Sequence, residues 1–126
     1  MLGHTILIAD DAEFMRDMLR QIIEDMGWTV AGEAGDGTEA ITQYRKIKPD
    51  LLLLDITMPN LDGTQALKTI LADDPHAQIV MITALGQKDQ VLDAIKAGAR
   101  DFIIKPFDHD RVADTLHRIL APSPVA

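Results

Sequence analysis

At 126 residues with a hydrophobic content of 47% and no apolar run near the roughly 20 residues of a membrane span, the chain is expected to be one soluble, cytoplasmic domain. A formal net charge of -8 argues against direct binding of nucleic acid or of an anionic membrane, because both depend on clustered Lys and Arg. With no cysteine, disulfides and thiolate metal sites are excluded.

The acidity is uneven. Residues 1–87 hold 6 basic and 14 acidic side chains, whereas residues 88–126 hold 6 of each. Apolar runs of strand character occur at Thr5–Ala9, Thr29–Gly32, Leu51–Leu54, Ile79–Ile82 and Phe102–Ile104, each followed by a helix-like stretch. The first helix, over Ala12–Met26, sets Met15, Met18, Leu19, Ile22, Ile23 and Met26 on one stripe, and its methionines read as core filler; Gly27 ends it. Further helices are predicted at Gly37–Lys46, Gly63–Ala72, Lys88–Ala97 and His109–Leu120, with Gly98 ending the fourth. The runs Leu51–Leu54 and Ile79–Ile82 do not alternate with polar residues, so these strands should be covered on both faces. The pattern predicts an α/β fold, a doubly wound parallel sheet of five βα units. One domain is expected over residues 1–121, with 122–126 a short flexible tail.

In such a sheet ligands gather outside the carboxyl ends of the strands. The first strand ends in Asp10-Asp11, the third in Asp55, the fourth in Thr83 and the fifth in Lys105-Pro106. Three carboxylates, a hydroxyl and an ammonium therefore converge on one rim. Any one strand-end Asp can equally be a helix cap. Three held together raise one another's pKa unless a cation neutralises them, and oxygen ligands with room for water and phosphate suit Mg²⁺. Asp55, carried on a stiff apolar strand, is placed as a nucleophile; Mg²⁺ and Lys105 would supply the positive charge that phosphoryl transfer needs. Lys105 as an ordinary salt-bridge partner of Asp55 would use the same geometry.

The strings Asp10-Asp11, Leu54-Asp55-Ile56-Thr57-Met58-Pro59, Asp62-Gly63, Thr83-Ala84 and Lys105-Pro106-Phe107, in this order and spacing, resemble the response-regulator receiver domain along essentially the full chain. The segments 11–16, 55–59 and 97–107 are further similar to the chemotaxis branch of that family, in its thermophile and Gram-positive forms. The resemblance implies a flavodoxin-like strand order 2-1-3-4-5. It implies that a histidine kinase of the CheA type phosphorylates Asp55, that Asp11, Asp55 and the Thr57 carbonyl bind Mg²⁺ directly and that Asp10 acts through water. Thr83 would hydrogen-bond the phosphoryl group, Lys105 would pair with it, and the Lys105-Pro106 peptide would be cis. Phe102 stands at the family's switch aromatic, where many relatives carry Tyr. The implied partner surface is the fourth helix, fifth strand and fifth helix, including Lys88, Lys96, Phe102 and Arg118. Thr57 and Leu85, each two residues beyond a site residue, are candidates for tuning the lifetime of the phosphoryl group.

The expected activity is that of a monomeric switch and not of a turnover enzyme: phosphoryl acceptance and autodephosphorylation only. Its output partner would be the flagellar motor switch protein, with a phosphorelay through a phosphotransfer protein or the regulation of another kinase as the alternative, and a phosphatase as a further partner. An aspartate-nucleophile phosphatase of the haloacid dehalogenase type needs a second Asp two positions after the nucleophile, where this chain has Thr57. Gly32, Gly35 and Gly37 lack the dinucleotide fingerprint and read as turn residues. His4, His76, His109 and His117 have no paired ligand spacing and read as surface residues.

Overall fold

The apolar runs form the strands β1 (Thr5–Ala9), β2 (Thr29–Ala34), β3 (Leu51–Asp55), β4 (Ile79–Ala84) and β5 (Asp101–Lys105), and helices follow them at α1 (Glu13–Asp25), α2 (Gly37–Ile47), α3 (Gly63–Asp73), α4 (Lys88–Ala97) and α5 (His109–Leu120). The structure is a computed structural model and describes residues 3–120. The tail expected at 122–126 lies outside the described residues. The strands pair in parallel in the order β2-β1-β3-β4-β5, as the resemblance implied.

The two-residue period of the strands divides the core. Leu7, Leu52, Leu54 and Met81 pack with Ala40, Tyr44, Leu67 and Ile70 from α2 and α3, and with Val91 and Ala94 from α4. Ile6, Ile8, Leu51, Leu53, Val80 and Ile82 pack with Leu19 and Ile23 of α1 and Val112 and Leu116 of α5. All four leucines of β3 are fully buried, each contributing about 1.5–3 kcal/mol relative to an exposed position, so the strand that carries Asp55 is held by packing on both faces.

Four strands differ from expectation at their ends. β2 runs on to Ala34, β3 includes Asp55, β4 continues to Ala84, and β5 spans Asp101–Lys105. The added residues are largely polar, which breaks the apolar pattern while the backbone keeps pairing: Asp55 lies beside Ile82, and Lys105 beside Ala84. Gly32 is a strand residue and not a turn; it pairs with Leu7 just after a register shift in the β1–β2 ladder.

The methionine stripe of α1 is narrower than expected. Leu19, Ile22 and Ile23 are buried, whereas Met18 is 45% exposed. Met18 sits one turn after the exposed Phe14, on the edge of the stripe that neither the sheet nor α5 covers. Gly27 follows α1 at φ 81°, a conformation that favours glycine, and Gly98 caps α4 at φ 124°.

Candidate functional site

Asp10 and Asp55 are set by the ends of two adjacent strands. Asp10 is fully buried and Asp55 is 4% exposed. Each uses one oxygen locally: Asp10 Oδ1 accepts from the amide of Ala12 at 2.9 Å, and Asp55 Oδ1 from the amide of Thr57 at 3.3 Å. Each presents the other oxygen to the same cation, Lys105 Nζ, at 3.0 Å in both cases. Arg16 of α1 donates to the Asp10 carbonyl at 2.5 Å and holds the turn after β1 in place. Asp11 is exposed and completes a group whose carboxylate oxygens, one each from Asp10, Asp11 and Asp55, lie within 4.8 Å of one another.

Burial pushes the Asp55 carboxyl up to about 6; the Lys105 hydrogen bond opposes this, and the charge of Asp10 adds to it. For Lys105, burial favours the neutral amine, but hydrogen bonds and attraction from Asp55 and Asp10 prevail and hold its pKa above the ordinary lysine value. Among the described residues, Asp10 Oδ2 is a buried oxygen that receives no hydrogen bond of good geometry, despite the nearby ammonium. One lysine between two carboxylates, with a third beside them, leaves the cluster short of positive charge. A hard divalent cation with oxygen preference fits that donor set.

The helix-cap reading holds for other aspartates. Asp36 caps α2 through the Glu39 amide at 2.7 Å, and Asp62 caps α3 through the Gln65 amide at 3.0 Å. Gly63 next to that cap donates to the Ile56 carbonyl at 2.7 Å, and a Cβ there would collide with the carbonyl of Asp55. The Asp62-Gly63 string thus lets α3 begin directly against the backbone of Asp55.

Thr83, at the end of β4, is 2% exposed, and its hydroxyl faces Gln87 Oε1 at 2.8 Å. Thr57 and Leu85 lie on the two loops over the rim; both are exposed, Leu85 by 78%. The Lys105-Pro106 peptide is cis. Phe102 is half-buried and packs on the side of the core that holds α4. It lines a groove of about 580 Å³ with Leu85, Val91, Leu92, Ile95 and Ile104. Lys88 and Lys96 are exposed on α4, and Arg118 on α5 pairs with Asp101. The surface residues Lys88, Lys96 and Arg118 are not brought to the carboxylate cluster. Lys88 lines the groove, and Arg118 reaches it through Asp101.

Sequence reasoning missed Gln87, and also the apolar lining from Leu92, Ile95 and Ile104. Leu92 and Ile95 are an i, i+3 pair offset from the buried Val91 and Ala94, a second apolar stripe that was legible on α4. Gln87 had no such periodic signal.

A profile of the family described as Response regulator receiver domain matches residues 6–117. The chemotaxis protein CheY of Thermotoga maritima is 49% identical over 118 residues, covering 94% of this chain and 98% of that protein. Protein CcdB of Bacillus subtilis is 45% identical over 115 residues, covering 91% of this chain and 96% of that protein. In the crystal structure of the CheX-CheY-BeF3-Mg complex from Borrelia burgdorferi, the matching chain superimposes with a TM-score of 0.91 at 35% identity, covering 96% of this chain and 92% of that one.

Proposed function

Because the chain belongs to the response-regulator receiver family of two-component systems, we propose that it is a phosphorylation switch in which Asp55 accepts a phosphoryl group and the α4–β5–α5 face carries the result to a protein partner. The observation that carries this reading is the arrangement of Asp55 Oδ2 and Asp10 Oδ2 about Lys105 Nζ, with Asp11 beside them.

An Asp55 oxygen attacks the phosphorus of a phosphohistidine on a CheA-type histidine kinase; the P–N bond breaks, the imidazole leaves, and an acyl phosphate forms. Asp10, Asp11, Asp55 and the Thr57 carbonyl would hold Mg²⁺, the ion named with BeF3 in the Borrelia complex. When bound, Mg²⁺ neutralises the carboxylates and draws charge from the phosphoryl oxygens. Lys105 offers a second cation to the incoming group. Thr83 offers its hydroxyl proton to a phosphoryl oxygen, and Phe102 follows Thr83 into the space it leaves. Autodephosphorylation is hydrolysis of the switch's own acyl phosphate, with Thr57 and Leu85 beside the path of water, so the protein is not a turnover enzyme.

Likeness to CheY proteins supports a cytoplasmic, monomeric messenger to the flagellar motor switch protein. The apolar groove beside Phe102 suits a protein partner, with Lys88 in its lining, Arg118 paired to its Asp101, and Lys96 exposed farther along α4. The Borrelia structure pairs CheY with a second protein, CheX, which supports a further protein partner; a phosphatase acting on the acyl phosphate is the class of partner we propose. A phosphorelay role through a phosphotransfer protein, or regulation of another kinase, is the second reading, since a receiver site of this kind serves either output.

The test is phosphotransfer from a purified CheA-type kinase, followed by partner recovery from native cell extract with and without beryllofluoride. Transfer together with beryllofluoride-dependent recovery of the motor switch protein is the expected result. Recovery of a phosphotransfer protein alone would replace the chemotaxis reading with the relay.

A further inference from the structure

Gln87 sits where the two loops over the site meet, and its side chain is not spent on its own helix. It is the residue preceding α4, at φ -107° and ψ 33°, yet it makes no capping hydrogen bond to that helix. Instead it folds back over Gly86, whose φ of 91° permits the tight turn and around which a Cβ would meet nothing within 4 Å. Gln87 Oε1 accepts from the Ala84 amide at 2.7 Å and from the Thr83 hydroxyl at 2.8 Å. Gln87 Nε2 donates to the Thr57 hydroxyl at 2.6 Å.

The assignment of oxygen and nitrogen follows from chemistry. A backbone N–H can only donate, so the atom facing Ala84 must be the acceptor, and the amide nitrogen therefore faces Thr57. One side chain thus ties the β4–α4 loop to the β3–α3 loop two residues from Asp55, whose Oδ1 accepts from the Thr57 amide. Thr83 has a single hydroxyl proton. In this structure its acceptors are Gln87 Oε1 and the Ala84 carbonyl.

We infer that Gln87 is a positioning residue, a latch that holds the Thr83 hydroxyl away from the acceptor and must release it when Asp55 is phosphorylated. This rests on the reading of Asp55 as the phosphoryl acceptor. A phosphoryl oxygen competes for the same proton and forms the stronger, charge-assisted hydrogen bond. When Thr83 turns to it, Gln87 loses one of its three bonds, and the start of α4, which carries Lys88 and Val91, is freed to shift. The latch therefore sets how strongly the unphosphorylated arrangement is favoured. Each of its bonds is worth a few-fold in that equilibrium.

The experiment titrates beryllofluoride against the Mg²⁺-loaded full chain, read by the ¹⁹F signal of the bound anion. Gln87→Met keeps length and bulk but cannot donate to Thr57 and accepts only weakly from Thr83, and it is expected to bind beryllofluoride roughly three- to tenfold more tightly than wild type. Thr57→Val, which removes the far anchor, should tighten binding in the same direction, and the double variant should bind no more tightly than Gln87→Met alone. A merely structural role would weaken binding, so the sign separates the two. Unchanged or weaker binding by Gln87→Met overturns the latch; if that variant does not fold, unchanged or weaker binding by Thr57→Val does so. Failure of the wild type to bind beryllofluoride overturns the acceptor reading itself, and the latch with it.

Discussion

Lys105 Nζ stands 3.0 Å from Asp55 Oδ2 although the two residues are fifty positions apart, and the contact is closed by the parallel packing of β3, β4 and β5. Because the same ammonium also faces Asp10, replacing it exposes two buried carboxylates to each other. Lys105→Met is expected to lower the stability of the metal-free protein by about 1–3 kcal/mol, less than a fully buried pair would give because Lys105 is partly solvated. Mg²⁺ should restore much of the loss. Thermal melts with and without Mg²⁺ measure both effects; a variant as stable as wild type in metal-free buffer would show that Lys105 does not neutralise the cluster.

Asp55 gives a pH dependence with a definite sign. Burial raises its folded-state pKa to about 6, above the value of about 3.9 for an unfolded chain, so ionising it weakens the fold. The cost is absent below about pH 4 and complete above about pH 6, and through this group the metal-free protein loses on the order of 1–3 kcal/mol over that interval. The ionised form is the one a cation binds, so Mg²⁺ affinity should rise with pH up to about 6 and then level off. Calorimetric Mg²⁺ titrations across this range check it, and Asp11→Ala should lose most of the affinity at every pH. A flat profile would mean that Asp55 is ionised throughout.

The strand-end chemistry was legible in the sequence because each strand closes an apolar run with a polar residue, so Asp10, Asp55, Thr83 and Lys105 stood out as punctuation. That same signal hid how far the strands continue. Glu33, Asp55, Thr83 and Lys105 look like loop residues by pattern, yet their backbones remain in the ladders. Gln87 could not be found this way. An uncharged amide in a loop leaves no periodic trace, and its importance depends on Thr57, thirty residues earlier. The exposure of Met18 was hidden for a related reason: a helix shows which residues share a stripe but not how much of that stripe its neighbours cover.

Leu85, two residues after Thr83, is 78% exposed, so it can be altered without disturbing the core. If Leu85 flanks the path of attacking water, as proposed, Leu85→Glu is expected to change the autodephosphorylation rate severalfold, while Mg²⁺ affinity stays nearly the same. The decay of the acyl phosphate after removal of the donor gives the rate. An unchanged rate would place Leu85 off that path.

Thr83 and Phe102 should separate acceptance of the phosphoryl group from output. Thr83→Ala removes the hydroxyl proposed to answer the phosphoryl group, and Phe102→Ala removes the ring lining the groove beside it. Both variants are expected to accept phosphate from acetyl phosphate at useful rates and to bind the partner poorly under beryllofluoride. Wild-type partner affinity in Phe102→Ala, with wild-type dependence on beryllofluoride, would leave Phe102 as a core residue of β5 and nothing more.

The assignment of Asp55 as the acceptor is tested most directly by intact-mass measurement after incubation with acetyl phosphate and Mg²⁺, on wild type and on Asp55→Asn. The substitution keeps the shape of the side chain and removes the nucleophilic oxygen pair. Wild type should gain the mass of one phosphoryl group, labile to hydroxylamine as an acyl phosphate is, while Asp55→Asn folds with the same circular dichroism and gains none. Equal labelling of the two proteins would contradict the assignment of Asp55 as the acceptor.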